Sequence, residues 1–135
     1  MSLNKFGNLK LFSHRPTIIA EVGVNHGCNL SLAKKYIRLC KDGGADAVKF
    51  QTYKADKIAS KFSPAYWDLK EEKTKTQYEL FKKYDKFNFV EYKSLYNECK
   101  KLKINYMSTF FDLDSIDQQN SLVKVFKISS SDINN

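Results

Sequence analysis

Arginine, histidine, cysteine and proline are scarce in this sequence, and long apolar runs are missing. Only Arg15 and Arg38 are arginine among the 23 basic residues behind a net charge of +8. The lysines, Lys34, Lys57, Lys82 and Lys100 among them, are scattered through helical and loop stretches and form no stripe. Bidentate recognition of bases and phosphates favours arginine, so the charge reads as a solvated lysine surface and nucleic acid is not an expected partner. His14 and His26 are too few for a zinc cluster. Cys28, Cys40 and Cys99 contain no CxxC pair and are odd in number, which points to reduced, half-buried thiols. No stretch approaches the length of apolar chain that spans a bilayer, so no transmembrane helix is expected. Residues 1–12 lack the apolar core and small-residue cleavage site of a signal peptide, so the protein is expected in the cytoplasm. Gly23, Gly27, Gly43 and Gly44 lack the spacing of a dinucleotide fingerprint, and there is no Walker motif.

What is present is an alternation of two hydrophobic periods over 135 residues, a length for one domain. Thr17 to Val24 is a β-branched, mostly apolar run, as in a strand buried on both faces. Asn29 can cap a helix whose Leu32, Ala33, Tyr36, Ile37 and Cys40 share a face, and Gly43-Gly44 can end it. Ala47 to Thr52 reads as a second strand. Lys54 to Lys86 is a long polar and aromatic excursion with one short helix near Gln77–Lys83. Asn88 and Glu91 make a capping box for a helix burying Tyr92, Leu95, Tyr96, Cys99 and Leu102. Ile104 to Phe110 is a third strand, Leu113–Ser121 a short helix capped by Asp112 or Asp114, and Val125 to Ser129 a fourth strand. Strand–helix alternation implies a parallel sheet, for which a doubly wound sheet and a β/α barrel both remain open.

Each strand ends in polar groups that a purely structural strand does not need. These are Glu21 with Asn25 and His26, Lys49 with Gln51, Ser108 with Thr109, and Lys127 with Ser130 and Asp132. Ligands bind at that edge in parallel α/β sheets and barrels. A strand-borne ammonium is costly unless paired, so Lys49 and Lys127 either bridge to Glu21 or Asp132 or surround an anion with Thr109 and Ser130. A carboxylate beside such a site, as Glu21 is, can also move a proton. His26 is either a substrate-orienting group or a loop residue. The aromatics Tyr53, Tyr66, Trp67 and Tyr78 read as packing of the excursion in preference to a sugar platform.

Four segments carry a resemblance: Ile18 to His26, Gly44 to Thr52, Met107 to Asp112 and Phe126 to Asn135. In these the chain resembles the N-acetylneuraminate (sialic acid) synthase family, which includes legionaminic and pseudaminic acid synthases. The resemblance implies a (β/α)8 TIM-type barrel, present here as roughly its first four β/α units. Residues 1–135 would be the N-terminal portion of that barrel, without the family's C-terminal antifreeze-like domain. It further implies a transferase that condenses phosphoenolpyruvate with an N-acetylated hexosamine such as N-acetylmannosamine. Phosphate is released, leaving a nine-carbon 2-keto sugar acid.

Carried over by position, Lys49, Gln51, Thr109, Lys127 and Ser130 would hold phosphoenolpyruvate. Glu21 and Asp132 would act near the reacting carbons, Asp132 standing where many members have glutamate. A divalent cation, manganese or magnesium, is implied with histidine ligands outside this stretch, and none of its ligands is assigned here. Half a barrel exposes two sheet edges, so the isolated chain is expected to be inactive or to complete itself as a homodimer. The alternative function is a non-catalytic, self-associating module that binds a sugar phosphate. An aldolase-type Schiff base on Lys49 or Lys127 has no support from the four segments.

Overall fold

A computed structural model of the chain describes residues 15–134 and, nearer the N-terminus, two short antiparallel strands, β1 (Lys5–Phe6) and β2 (Leu9–Lys10). His14 and Asn135 lie outside the described residues. The order continues β3 (Ile19–Gly23), α1 (Leu30–Asp42), β4 (Ala47–Thr52), α2 (Ala55–Ile58), α3 (Gln77–Tyr84), α4 (Phe89–Leu102), β5 (Asn105–Phe110), α5 (Leu113–Gln119) and β6 (Lys127–Ile128). Strands β3, β4, β5 and β6 form one parallel sheet in that same order. A doubly wound sheet reverses its strand order near the first strand, whereas a barrel adds strands consecutively. The consecutive order decides between the two, and the fold is a partial β/α barrel.

The local signals act as their chemistry dictates. The Asn29 side chain accepts from Leu32 N at 3.0 Å and starts α1. Gly44, at φ +82°, turns the chain out of it. Glu91 accepts from Asn88 N at 2.8 Å at the start of α4. The Asp112 carboxylate accepts from Ser115 N at 2.8 Å and opens α5. One face of the sheet packs on the helices through Val48 and Phe50 of β4 and Tyr106 and Phe110 of β5. Ala33 and Ile37 of α1, with Leu95 and Cys99 of α4, meet them there. Arg38 of α1 donates to Glu98 of α4 at 2.7 Å.

The same face holds a buried polar chain. Tyr106 OH donates to Gln119 Oε1 at 2.9 Å, Gln119 Nε2 donates to Thr52 Oγ1 at 3.1 Å, and Thr52 and Ser108 share a 2.7 Å hydrogen bond. Ser108, counted above among the strand-end ligand groups, therefore faces the helices and serves the core.

Two elements differ from the sequence expectation. The fourth strand is two residues long because the Ser129 and Ser131 hydroxyls bond each other at 2.6 Å and Asp132 N donates to Ser129 O, which pulls the chain into a turn. The excursion contains a second, one-turn helix, α2, whose Ala55 N donates to Asp85 from thirty residues along the chain. The Lys54 ammonium donates to the carbonyls of Asp85 and Phe87 at 2.8 and 2.9 Å and locks the start of the excursion to its end. No described helix is long and apolar enough to cross a membrane.

At the opposite end of the sheet from the polar strand tips, Arg15 donates to Asp46 at 2.7 Å, and Ile18 N donates to the same carboxylate at 2.9 Å. These donors hold the Asp46 carboxyl at about 2, below its usual 3.8. A depressed folded-state value contributes stability that is full above the ordinary carboxylate range and is lost as pH falls through the folded value. Asp46→Asn is therefore expected to lower the urea midpoint at about pH 6, with the gap to wild type closing between about pH 4 and about pH 2. A gap that stays constant over that range would remove the charge from the explanation.

Candidate functional site

Residues paired across parallel strands share a face, and successive residues alternate between faces. The register aligns Glu21 of β3 with Lys49 of β4 and Met107 of β5, and aligns Gln51 with Thr109 of β5 and Lys127 of β6. All of these positions lie on the face away from the helices. Ala47 and Met107 are buried there with Val125 against them and make an apolar floor under the polar tips. Four of the sequence-predicted site residues thus come together, and a fifth adjoins them in register.

Lys49 is the centre of the group. Its side chain is 14% exposed, its ammonium pairs with the Glu21 carboxylate, and it donates to Thr109 Oγ1 at 2.9 Å. Thr109 is buried, while the Glu21 side chain is 46% exposed. An ammonium has three N–H donors, so one remains beyond the carboxylate and the hydroxyl. The pairing with Glu21 that the sequence left open is present. It does not use up the lysine, since a half-exposed carboxylate can move when an anion arrives.

Lys127 stands beside Thr109 in the register but is exposed, and its ammonium donates to the carbonyl of Ile128. Ser130 is exposed and Asp132 half-buried in the turn beyond β6. Lys127 and Asp132 border a cavity of about 270 Å³ whose other walls include Phe110, Ile116, Phe126 and Ile128. Glu21, Lys49, Gln51 and Thr109 do not line it. The seven predicted residues therefore form two groups, one compact cluster around Lys49 and one looser set along β6 and its turn. Lys127 is the residue common to both regions.

His26 has a different role from the substrate-orienting one considered above. It is buried, stacked on Phe87 at 4.7 Å and edge-on to Phe50 at 5.8 Å, and its Nδ1 accepts from Cys28 N at 3.1 Å. Burial pushes its pKa down, opposed by the Gly23 carbonyl, so a neutral ring closes the top of the helix-side core. Most of the excursion's aromatics also have structural contacts. Tyr53 packs on Phe81 and Phe111, Trp67 donates to Thr74 O at 3.1 Å, and Tyr78 donates to Asp56 at 2.7 Å. Tyr66 is exposed, edge-on to Trp67.

A residue that sequence reading missed is Tyr92, whose hydroxyl donates to the Gln51 carbonyl at 3.3 Å and steadies the tip of β4 from α4. Its place on the buried helical face was legible; its hydrogen bond to a strand end 41 residues earlier was not. Among the described residues no three of His, Cys, Asp and Glu converge. With Glu21 on Lys49 and His26 between rings, the residues present do not fit a divalent cation by themselves.

The profile of the NeuB family matches residues 36–135. The chain is 43% identical over 121 residues to the N,N'-diacetyllegionaminic acid synthase of Campylobacter jejuni, an alignment covering 87% of this chain and 36% of that protein. It is 32% identical over 124 residues to the human N-acetylneuraminate-9-phosphate synthase, covering 90% and 34%. Among solved structures it is similar to an N-acetylneuraminic acid (sialic acid) synthetase from Leptospira borgpetersenii in complex with citrate, with a TM-score of 0.74 and 29% identity. That match covers 96% of this chain and 41% of the other. The chain thus spans about a third of the length of the curated relatives it matches.

Removing the Thr109 hydroxyl tests the cluster directly. A hydrogen bond to a charged group contributes about 1.5–3 kcal/mol, so Thr109→Val is expected to weaken inorganic phosphate binding by roughly tenfold or more in calorimetry. Thr109→Ser should keep most of the affinity. An equal loss in both variants would assign Thr109 to packing.

Proposed function

Because this chain belongs to the NeuB family, we propose that the protein carrying it condenses phosphoenolpyruvate with an N-acetylated hexosamine, as a sialic-acid-synthase-type transferase. The observation that carries this reading is the Lys49 ammonium, held in a strand beside the Thr109 hydroxyl at the C-terminal tips of parallel strands. A cation in that place, with a donor to spare, suits a phosphate or carboxylate. In the reaction, C3 of phosphoenolpyruvate bonds to the aldehyde carbon of the open-chain sugar and water adds at C2. The C2–O bond then breaks, phosphate leaves with the bonding pair, and a nine-carbon 2-keto acid remains.

In this reading Lys49, Thr109, Lys127 and Ser130 hold the phosphate and carboxylate of phosphoenolpyruvate, with Gln51 beside them. They stabilise the charge that grows on the departing phosphate. Glu21 and Asp132 act near the reacting carbons, where a carboxylate can take and return the proton of the attacking water. A manganese or magnesium ion belongs to this chemistry, and its ligands are not assembled by the described residues. It also places the protein in the cytoplasm as a homodimer.

A second reading, a self-associating sugar-phosphate-binding module, is favoured by the apolar side chains left exposed at both sheet edges. These are Ile18 and Ile19 at β3, and Phe126 and Ile128 at β6.

A phosphate-release assay separates the two. Release should require phosphoenolpyruvate and an N-acetylhexosamine together, in the presence of manganese. Lys127→Ala should raise the apparent KM for phosphoenolpyruvate by roughly tenfold or more, the loss of one charge-assisted hydrogen bond. No release across several N-acetylhexosamines by folded protein would overturn the enzyme reading. A defined homodimer that still binds phosphate would then support the module.

A further inference from the structure

Gly23 closes β3 at φ +57°, and the pairing of β3 with β4 slips there, Glu21 facing Lys49 and Gly23 facing Phe50. The slip is a bulge, a device that re-aims neighbouring side chains. An ideal Cβ on Gly23 would lie 3.3 Å from Glu21 Oε1 and 3.4 Å from Gln51 Nε2. The space that any other side chain would occupy is where the ends of these two polar side chains converge. Gly27, four residues on, has nearly the same backbone angle, φ +55°, and nothing within 4 Å of its Cβ position. The two glycines share one conformational demand, and only Gly23 adds a steric one.

From this we infer that Gly23 is a positioning residue, whose missing Cβ lets the Glu21 carboxylate and the Gln51 carboxamide close over the tip of β4 and keeps Glu21 on Lys49. For turnover, the inference rests on the proposed condensation; for geometry, it does not. Contacts of 3.3–3.4 Å are tight enough that a neighbour must give way. Glu21 is the one that yields, because its carboxylate oxygen is the nearer contact, ahead of Gln51, and its side chain is half-exposed. Displacing Glu21 leaves the Lys49–Thr109 contact in place. Anion binding and the placement of Glu21 thereby become separable.

The matched pair Gly23→Ala and Gly27→Ala tests this in the protein that carries the chain. Both force an L residue into the left-handed region, so both denaturation midpoints should fall, that of Gly23→Ala somewhat further for its added contact. Gly23→Ala alone should lower kcat, by about threefold to tenfold, because the added Cβ displaces its neighbour by a few tenths of an ångström and a full ångström costs about a hundredfold. Its Kd for inorganic phosphate should stay within about threefold of wild type, as a loss confined to the transition state requires. A crystal structure of Gly23→Ala should show the Glu21 carboxylate shifted away from Lys49 Nζ by at least a few tenths of an ångström, with Gly27→Ala unchanged. Equal kcat in the two variants, or a Glu21 carboxylate unshifted in Gly23→Ala, would overturn the inference. Wild-type protein without phosphate release would sink the proposed reaction, while the displaced or undisplaced Glu21 would still decide the role of Gly23.

Discussion

An ammonium set into an inner strand of a sheet has to be compensated, and the residues around Lys49 are arranged to do so. Burying an unpaired charge costs several kcal/mol, enough to threaten a fold whose total stability is about 5–15 kcal/mol. The parallel register answers this by bringing one partner from each flanking strand, Glu21 from β3 and Thr109 from β5. A slip of one residue in either pairing would turn those partners to the helix side. The chemistry of the site and the register of the sheet are therefore one constraint.

The helix side keeps that register in place. Val48, Phe50, Tyr106 and Phe110 pack into the helices, and the Tyr106–Gln119–Thr52–Ser108 chain satisfies the polar groups that share this face. A buried network with every member paired resists slippage, since any shift orphans several groups together. Above it, His26 caps the core between Phe50 and Phe87, and Lys54 holds the Phe87 carbonyl. Loops after β3 and β4 are thus tied to the segment before α4, and strand tips carrying Glu21 and Gln51 inherit that order.

Much of this is legible in the sequence where one short-range rule governs. Strand β4 follows from its run of β-branched and aromatic residues, and α1, α4 and α5 from caps at Asn29, Asn88 and Asp112. The cluster of Glu21, Lys49, Gln51 and Thr109 is legible because charge inside an apolar strand needs an explanation. What escapes the sequence depends on contacts distant along the chain. Helix α2 relies on Asp85, the brevity of β6 on a serine turn, and the inward face of Ser108 on Thr52. Strand order is likewise invisible to periodicity, and only the folded sheet separates a barrel from a doubly wound arrangement. The separation of Asp132 from Lys49 is of the same kind, since lying at the end of a strand does not say which cavity a residue lines.

In the proposed reaction Lys49 and its neighbours on the polar face receive the anionic end of the substrate. A crystal structure of the protein with phosphoenolpyruvate tests it most directly. The phosphate or carboxylate of the ligand should lie within hydrogen-bond distance of Lys49 Nζ and Thr109 Oγ1, with Lys127 swung off the Ile128 carbonyl toward it. Ligand seated instead among Phe110, Phe126 and Ile128, with the Glu21–Lys49 pair undisturbed, would contradict it.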